Sequence, residues 1–357
     1  MTTATTAQTT IPAAILDQVA ERANALDDGA GRARFILPPL GAEGLLGLGA
    51  PQNSDGHLPD MVAAVRALAS RCMSSAFGLW AHRMTIEYLA LADTPYANSV
   101  LPGLLDGSTP GITGMASAFR EAAGCGSLDL TATPTDDGSG YVLDGALKWA
   151  SNLYDDSIMV TAARATNGDR LLVALPLSTP GITAGNQFSL MALDSTASSF
   201  VKIEGARISA DQVLTTDFEE FLTACRPTFL ALQSAMCCGL AEASLAAADQ
   251  GSLGTNAVFA PEIDRARGSL ALVRSMVESV AEKTGPGVRF ERSELLSMRL
   301  AAAEVASSAA ALELRCAGGR GYAHRSDSSR RFREAAFIPV QSPSEGQLRW
   351  ELSQCER

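Results

Sequence analysis

Aromatic residues supply only 6% of this 357-residue chain, and histidine occurs three times. His57, His82 and His324 lie far apart in the sequence, so they offer no zinc-type ligand spacing. The seven cysteines are an odd number with no Cys-x-x-Cys pair. That pattern points to free thiols in a reducing, cytoplasmic compartment rather than to a disulfide framework. Basic residues are also scarce: 28 Lys and Arg against 39 Asp and Glu leave a net charge of -11. A nucleic-acid-binding surface is therefore not expected, although a local basic pocket for an anionic ligand remains possible. No apolar run long enough to span a membrane is free of polar residues. The nearest, "FLALQSAMCCGLAEASLAAA", contains Gln233, Ser234 and Glu242 and reads as a buried helix. The opening "MTTATTAQTT" has neither a basic start nor an apolar run, unlike a secretory signal. Residues 1–10 are expected to be a disordered lead.

What is present is ordinary globular material, 46% hydrophobic and 19% charged, with the alanine and leucine content that favours helices. The chain is long enough for a large core and several layers. Three regions differ in period. Over residues 11–110, "AAILDQVAERANAL" and "LPDMVAAVRALASRCMSSAFGLWAHRMTIEYLALA" carry apolar residues three and four apart, joined by the Gly-rich "LGAEGLLGLGAPQ". Over 111–216 the pattern alternates. "SLDLTATPTDDGSGYVLDGALKWASN" contains a turn at "DDGSG", and "DSIMVTAARATNGDRLLVALPL" reads as a hairpin around "TNGD". Over 217–357 the helical period returns and its third long segment stops at Gly318-Gly319. The expected fold class is thus α+β in several layers: a helical N-terminal domain, a β-barrel or sandwich domain, and a C-terminal four-helix bundle.

Two stretches carry chemistry. "GYVLDGALKWASN" puts Trp149 near a strand end with Ser151 two residues on, on the same side. "AGGRGYAHRSDSSRRFREA" follows a glycine turn with Arg330, Arg331 and Arg333. These two phrases, with "LPPLGAEGLLGLGAPQNSDG" near the start, resemble the acyl-CoA dehydrogenase superfamily in the same order and over nearly the whole chain. The resemblance implies FAD held between the β domain and the C-terminal bundle, with FMN as the alternative. It implies cofactor contacts from Ala118, Phe119, Trp149, Ser151, Arg315, Gly318 and Gly319, and substrate contacts from Gly126, Ser127 and Arg226. For Arg330, Arg331 and Arg333 the expectation is a solvated face with salt bridges to Glu334 and its neighbours.

The chain departs from the family pattern in three places. The usual glutamate base falls on Ser342 when counted from Arg333, and its alternative seat is Cys225. Glu345, three residues beyond Ser342, is then the candidate catalytic base, because a carboxylate can be tuned toward neutrality by burial. The family's Arg-x-x-Phe-Gly segment reads "DQGSLGTNAVFAPEID", without its arginine. The flavin and substrate loop reads "AFREAAGCGSLD", with Phe119 in the place of a threonine. Three functions stay open: α,β-dehydrogenation of an acyl thioester by FAD, monooxygenation with reduced flavin and oxygen, and a degenerate subunit completing another chain's site. Implied partners are an acyl thioester or other small molecule and an electron acceptor or flavin reductase. Implied assemblies are a homodimer, homotetramer or hetero-oligomer. No nucleic acid or membrane is among the implied partners.

Overall fold

The computed structural model describes residues 10–355; the expected disordered lead therefore lies, except for Thr10, outside the described residues. Segments with apolar residues three and four apart form α1 (Ala13–Asp27), α2 (Leu37–Ala42), α3 (Leu58–Ala69), α4 (Met73–Ala92) and α5 (Pro95–Leu105). The alternating middle forms β1 (Gly111–Gly114), β2 (Leu130–Pro134), β3 (Gly140–Ala150), β4 (Ile158–Ala165), β5 (Arg170–Pro176), β6 (Ile182–Ala184), β7 (Ser199–Ser209) and β8 (Val213–Thr215). One short helix, α6 (Ala116–Ala122), interrupts it. The last third comprises α7 (Phe218–Gly251), α8 (Ala260–Lys283), α9 (Arg292–Gly321), α10 (Asp327–Phe337) and α11 (Glu345–Cys355).

The strands join in the order β6-β7-β3-β2-β4-β5-β8, and β1 adds to β4. The "TNGD" turn does close a hairpin: β4 and β5 pair antiparallel from Ile158–Pro176 to Arg164–Arg170. The other edge of β4 is shared, its first half with β1 and its second with β2, both parallel. Successive residues of these central strands face opposite sides. Met159, Ala163, Leu171 and Val173 therefore enter the sheet's own core, while Val160, Ala162, Leu172 and Ala174 join the helical core. Burial on both faces explains why β4 and β5 read as nearly continuous apolar runs.

In the bundle, α7 and α9 are long and apolar enough to cross a membrane, but 83% of the most apolar window of α7 is buried against its neighbours. Gly239 lets α7 close on α3, since a Cβ there would sit 2.1 Å from the Arg66 carbonyl oxygen. Two buried charged groups of α4 anchor the connection before α3. Arg83 and Glu87, both fully buried, pair at 2.9 Å. Glu87 also accepts from the Gln52 backbone N–H at 2.8 Å and from Thr228 Oγ1 at 3.2 Å. Arg83 Nε donates to the Leu48 carbonyl at 3.1 Å. The Gly-rich connection is thereby pinned to α4 and α7. His82, one residue before Arg83, bonds to Leu104 O at 2.9 Å through Nε2 and accepts from the Gly111 N–H at Nδ1.

The arginines of α10 are not the solvated face expected of them. Arg330 is 4% exposed and donates to Glu334, Asn24 and the Arg71 carbonyl. Arg331 binds Glu313 of α9 through two nitrogens, and Arg333 reaches Asp27 of α1 at 2.6 Å. The bridge to Glu334, one helical turn on, is the expected one; Glu313 and Asp27 lie on other helices, so local charge pattern could not reveal them. Burial, helped by the nearby Asp27 charge, pushes Glu334 above the usual carboxylate range against the pull of Arg330 and the Met73 N–H.

Candidate functional site

A cleft of about 210 Å³ opens where the end of β3, the start of α6 and the segment between α10 and α11 converge. Leu147, Lys148 and Trp149 line it from β3. The β3–β7 register slips between Leu147 and Ala150, which marks an irregularity beside the tryptophan. Trp149 is 51% exposed, with its ring centroid 4.6 Å from that of Phe188. An apolar ring this large and this exposed is the kind of surface a ligand or partner covers.

From the α6 side come Gly114, Ala116, Ser117 and Arg120, with Asp129 beyond. Asp129 pairs with Arg120 at 3.2 Å. Ser117 Oγ and Arg120 Nε are both buried without a hydrogen-bond partner. Such orphans are costly unless a ligand or water satisfies them. From the C-terminal side come Val340, Ser342, Ser344 and Gln347. Ser344 caps α11, its Oγ accepting from the Gln347 N–H at 3.3 Å. Gln347 Nε2 donates onward to Glu351 Oε1 at 3.0 Å, and the other Glu351 oxygen takes Arg226 Nη1 at 2.7 Å.

Of the residues expected to form the site, Trp149 lines the cleft; the others stand around it or elsewhere. Ala118 and Phe119 are core residues, and Phe119 packs on Phe229 at 4.5 Å. The reason is that the segment is a helix and not an extended loop. A 3.6-residue turn sends 116, 117 and 120 to the cleft and 118 and 119 away from it. Ser151 is buried and bonded to Ser198 Oγ at 2.7 Å. Arg315 forms a two-nitrogen pair with Glu262 on the outer bundle and stacks on Phe259. Gly318 bends α9 with φ 59° and ψ -149°, a conformation that belongs to glycine. A Cβ at Gly319 would meet nothing within 4 Å.

Gly126 and Ser127 are exposed in the turn after α6, with Gly126 packed on Arg120. Arg226, 8% exposed, lies beneath the cleft between Glu351 and the Phe119 ring, 5.5 Å from that ring's centroid. Glu345 does not face the cleft lining: Arg349, one turn on, holds it at 2.8 Å. Ser342, on which the glutamate position falls by counting, does line the cleft. Burial pushes the Cys225 thiol far above its usual range, so it remains protonated.

Sequence reasoning missed Ser117, Arg120, Asp129 and Gln347. The proline-free, helix-forming "ASAFREA" was the available signal for the first two. The cleft's inventory is one broad indole face, three hydroxyls, a lysine and two orphaned polar atoms. Those are fitting partners for a flat ring with hydrogen-bonding edges, such as a flavin.

No family model matches the chain. A probable acyl-CoA dehydrogenase of Bacillus subtilis (strain 168), YngJ, is 24% identical over 328 residues, which covers 84% of each chain. Butyryl-CoA dehydrogenase from Megasphaera elsdenii superposes with a TM-score of 0.84 at 20% identity, over 96% of each chain. The prolyl acyl carrier protein oxidase AnaB superposes at 0.81 with 17% identity, over 96% of this chain and 97% of its own. The resemblance read from the two motifs thus holds along the chain in sequence, and the fold is that of the acyl-CoA dehydrogenase superfamily.

Proposed function

We propose that the chain is a flavin-dependent oxidoreductase that holds FAD against Trp149 and dehydrogenates an acyl thioester carried by CoA or a carrier protein. The observation that carries this reading is the cleft, where an exposed indole shares a small space with hydroxyls and orphaned polar atoms. When bound, the flavin supplies the two-electron acceptor for hydride leaving the acyl β-carbon. Trp149 shields one side from water, and Ser117, Ser342 and Ser344 offer hydrogen bonds to ring or thioester edges. At about 210 Å³ the cleft is below the roughly 300 Å³ floor of small-molecule sites. Enclosing a whole dinucleotide therefore calls for a second chain. The open space beside Gly319 is where such a chain's cofactor would lie, so a homodimer or homotetramer accompanies the proposal.

For the α-proton, Glu345 is the carboxylate the sequence nominates. It sits in the first turn of the helix whose Ser344 and Gln347 line the cleft, and it would exchange Arg349 for substrate. The hydroxyl of Ser342 at the cleft favours a second reading, monooxygenation with reduced flavin and oxygen, which requires no such base and suits FMN.

The test is to purify the chain, identify any flavin after denaturation, and add a saturated acyl-CoA. FAD that bleaches in the wild type and not in Glu345→Gln supports dehydrogenation with that base. Undiminished bleaching in Glu345→Gln removes the base assignment. FMN, or binding of reduced flavin only, supports the second reading. Colour that develops only with a homologous partner chain makes this a half-site subunit, and no flavin binding under any condition overturns the proposal.

A further inference from the structure

A second groove, of about 340 Å³, lies between the end of α1 and the tight turn Ala33–Ile36, and shares no lining residue with the cleft at Trp149. Arg22, Arg32 and Arg34 converge on it, with Leu26 and Phe35 as its apolar wall. We propose that this groove binds a phosphate-bearing small molecule whose oxygens accept from the guanidinium groups of Arg22 and Arg32.

Charge bookkeeping is the first argument. Most arginines of this chain reach a carboxylate, but of these three only Arg34 does, through two bonds of 2.8 and 2.7 Å to Asp156. Among the described residues, Arg22 and Arg32 have no carboxylate at ion-pair distance. Two acids beside the groove are engaged by other arginines: Asp27 by Arg333 at 2.6 Å and Asp28 by Arg325 at 3.7 Å. Gathering like charges in one concavity is unfavourable until an anion offsets them. In a chain of net charge -11 such a gathering is not a by-product of composition.

Geometry is the second argument. Each guanidinium lies over an aromatic ring: Arg22 on Phe35 at 4.5 Å, Arg32 and Arg34 on Tyr154 at 5.6 and 4.7 Å. Stacking occupies the flat face of the group and holds it in place. The N–H donors project in the plane, so the forks of Arg22 and Arg32 stay available to phosphoryl oxygens, while Asp156 takes that of Arg34. The volume falls within the ~300–1,000 Å³ of small-molecule sites, and Leu26 and Phe35 can cover the organic part of a phosphate ester.

The test is calorimetric titration of the full chain with pyrophosphate and with orthophosphate, at fixed ionic strength set by chloride. Saturable binding of pyrophosphate is expected, weakened at least tenfold in the Arg22→Gln/Arg32→Gln double variant, with the ligand-free melting temperature unchanged. Arg22→Lys and Arg32→Lys keep the charge but lose the fork, and are expected to weaken binding several-fold; they serve if the double variant fails to fold. Equal affinity for the two probes assigns a monophosphate group, and preference for pyrophosphate a diphosphate. No saturable binding by the wild type, wild-type affinity in the arginine variants, or a loss seen only in Trp149→Ala would overturn the proposal.

Discussion

Lowering the pH from 7 to 5 should destabilise this protein through His82, and by an amount the structure sets. The imidazole is fully buried, with Nε2 against the Leu104 carbonyl and Nδ1 accepting the Gly111 N–H. That pairing requires the neutral ring with its proton on Nε2. Burial lowers its pKa from 6.5 to about 4; the Leu104 carbonyl pulls the other way, and neighbouring Arg83 adds to the lowering. Between those two values the unfolded chain binds a proton that the folded chain refuses, so stability rises with pH across the window. The penalty is absent well above pH 6.5, grows as pH falls through it, and levels off below about 4. Linkage gives a penalty that is small at pH 7 and about 2 kcal/mol at pH 5.

For a chain of this length that loss moves the melting temperature by roughly 2 °C. The assay is thermal or urea unfolding of the wild type and His82→Gln at both pH values. Carboxylates titrating in the same range contribute equally to both proteins and cancel in the difference. The wild type should lose about 2 kcal/mol more than the variant. Proton NMR gives a second readout, because the chain has only three histidines and His57, raised by its bond to Asp60, titrates on the opposite side of 6.5. Parallel pH profiles, or a His82 resonance that titrates near 6.5, would refute the reasoning.

Four other outcomes can be checked. Glu87→Gln leaves Arg83 buried without its counterion and should cost about 3–5 kcal/mol in urea unfolding; an unmoved midpoint would mean that the pair carries no stability. Gly239→Ala drives a Cβ to 2.1 Å from the Arg66 carbonyl, and overpacking of α7 on α3 should cost about 1–3 kcal/mol in thermal unfolding. Trp149→Ala removes one aromatic face of the proposed flavin site, worth about 0.5–1.5 kcal/mol, so flavin should bind about 2- to 13-fold more weakly by fluorescence titration; unchanged affinity would place the flavin elsewhere. Gly319→Ala meets no atom of its own chain within 4 Å. Its ligand-free melting temperature should therefore hold while flavin affinity drops, and loss of stability without loss of flavin would make the turn purely structural.

The order helix, sheet, helix was legible because period is a local property. Apolar residues three and four apart in "LPDMVAAVRALA" specify one helix face, and "TNGD" between alternating runs specifies a hairpin, whatever the rest of the chain does. The interruption of the sheet by α6 was legible too, had "ASAFREA" been weighed by propensity and not as a loop expected from resemblance. That choice cost two residues of register. It exchanged Ala116 and Ser117, which line the cleft, for Ala118 and Phe119, which pack into the core.

The arginines show what no local pattern could supply. In "RSDSSRRFREA" only the Arg330–Glu334 pair, one turn apart, can be read locally; Arg331 ends on Glu313 of α9, and Arg333 reaches Asp27 of α1, some 300 residues away. The reverse holds at Arg22 and Arg32, where Asp27 and Asp28 are close in sequence but engaged by other arginines in space. Pairing is a tertiary property, so a free guanidinium can be recognised only after every carboxylate has been assigned its partner. The same reasoning bears on the catalytic question. Glu345 and Arg349 are one turn apart on α11, a pair the sequence displays openly. A carboxylate so engaged already has its partner on its own helix. Dehydrogenation requires Glu345 to leave Arg349 and take the α-proton, whereas monooxygenation requires nothing of it, which is why the Glu345→Gln bleaching experiment separates the two proposed reactions more sharply than any change to Trp149.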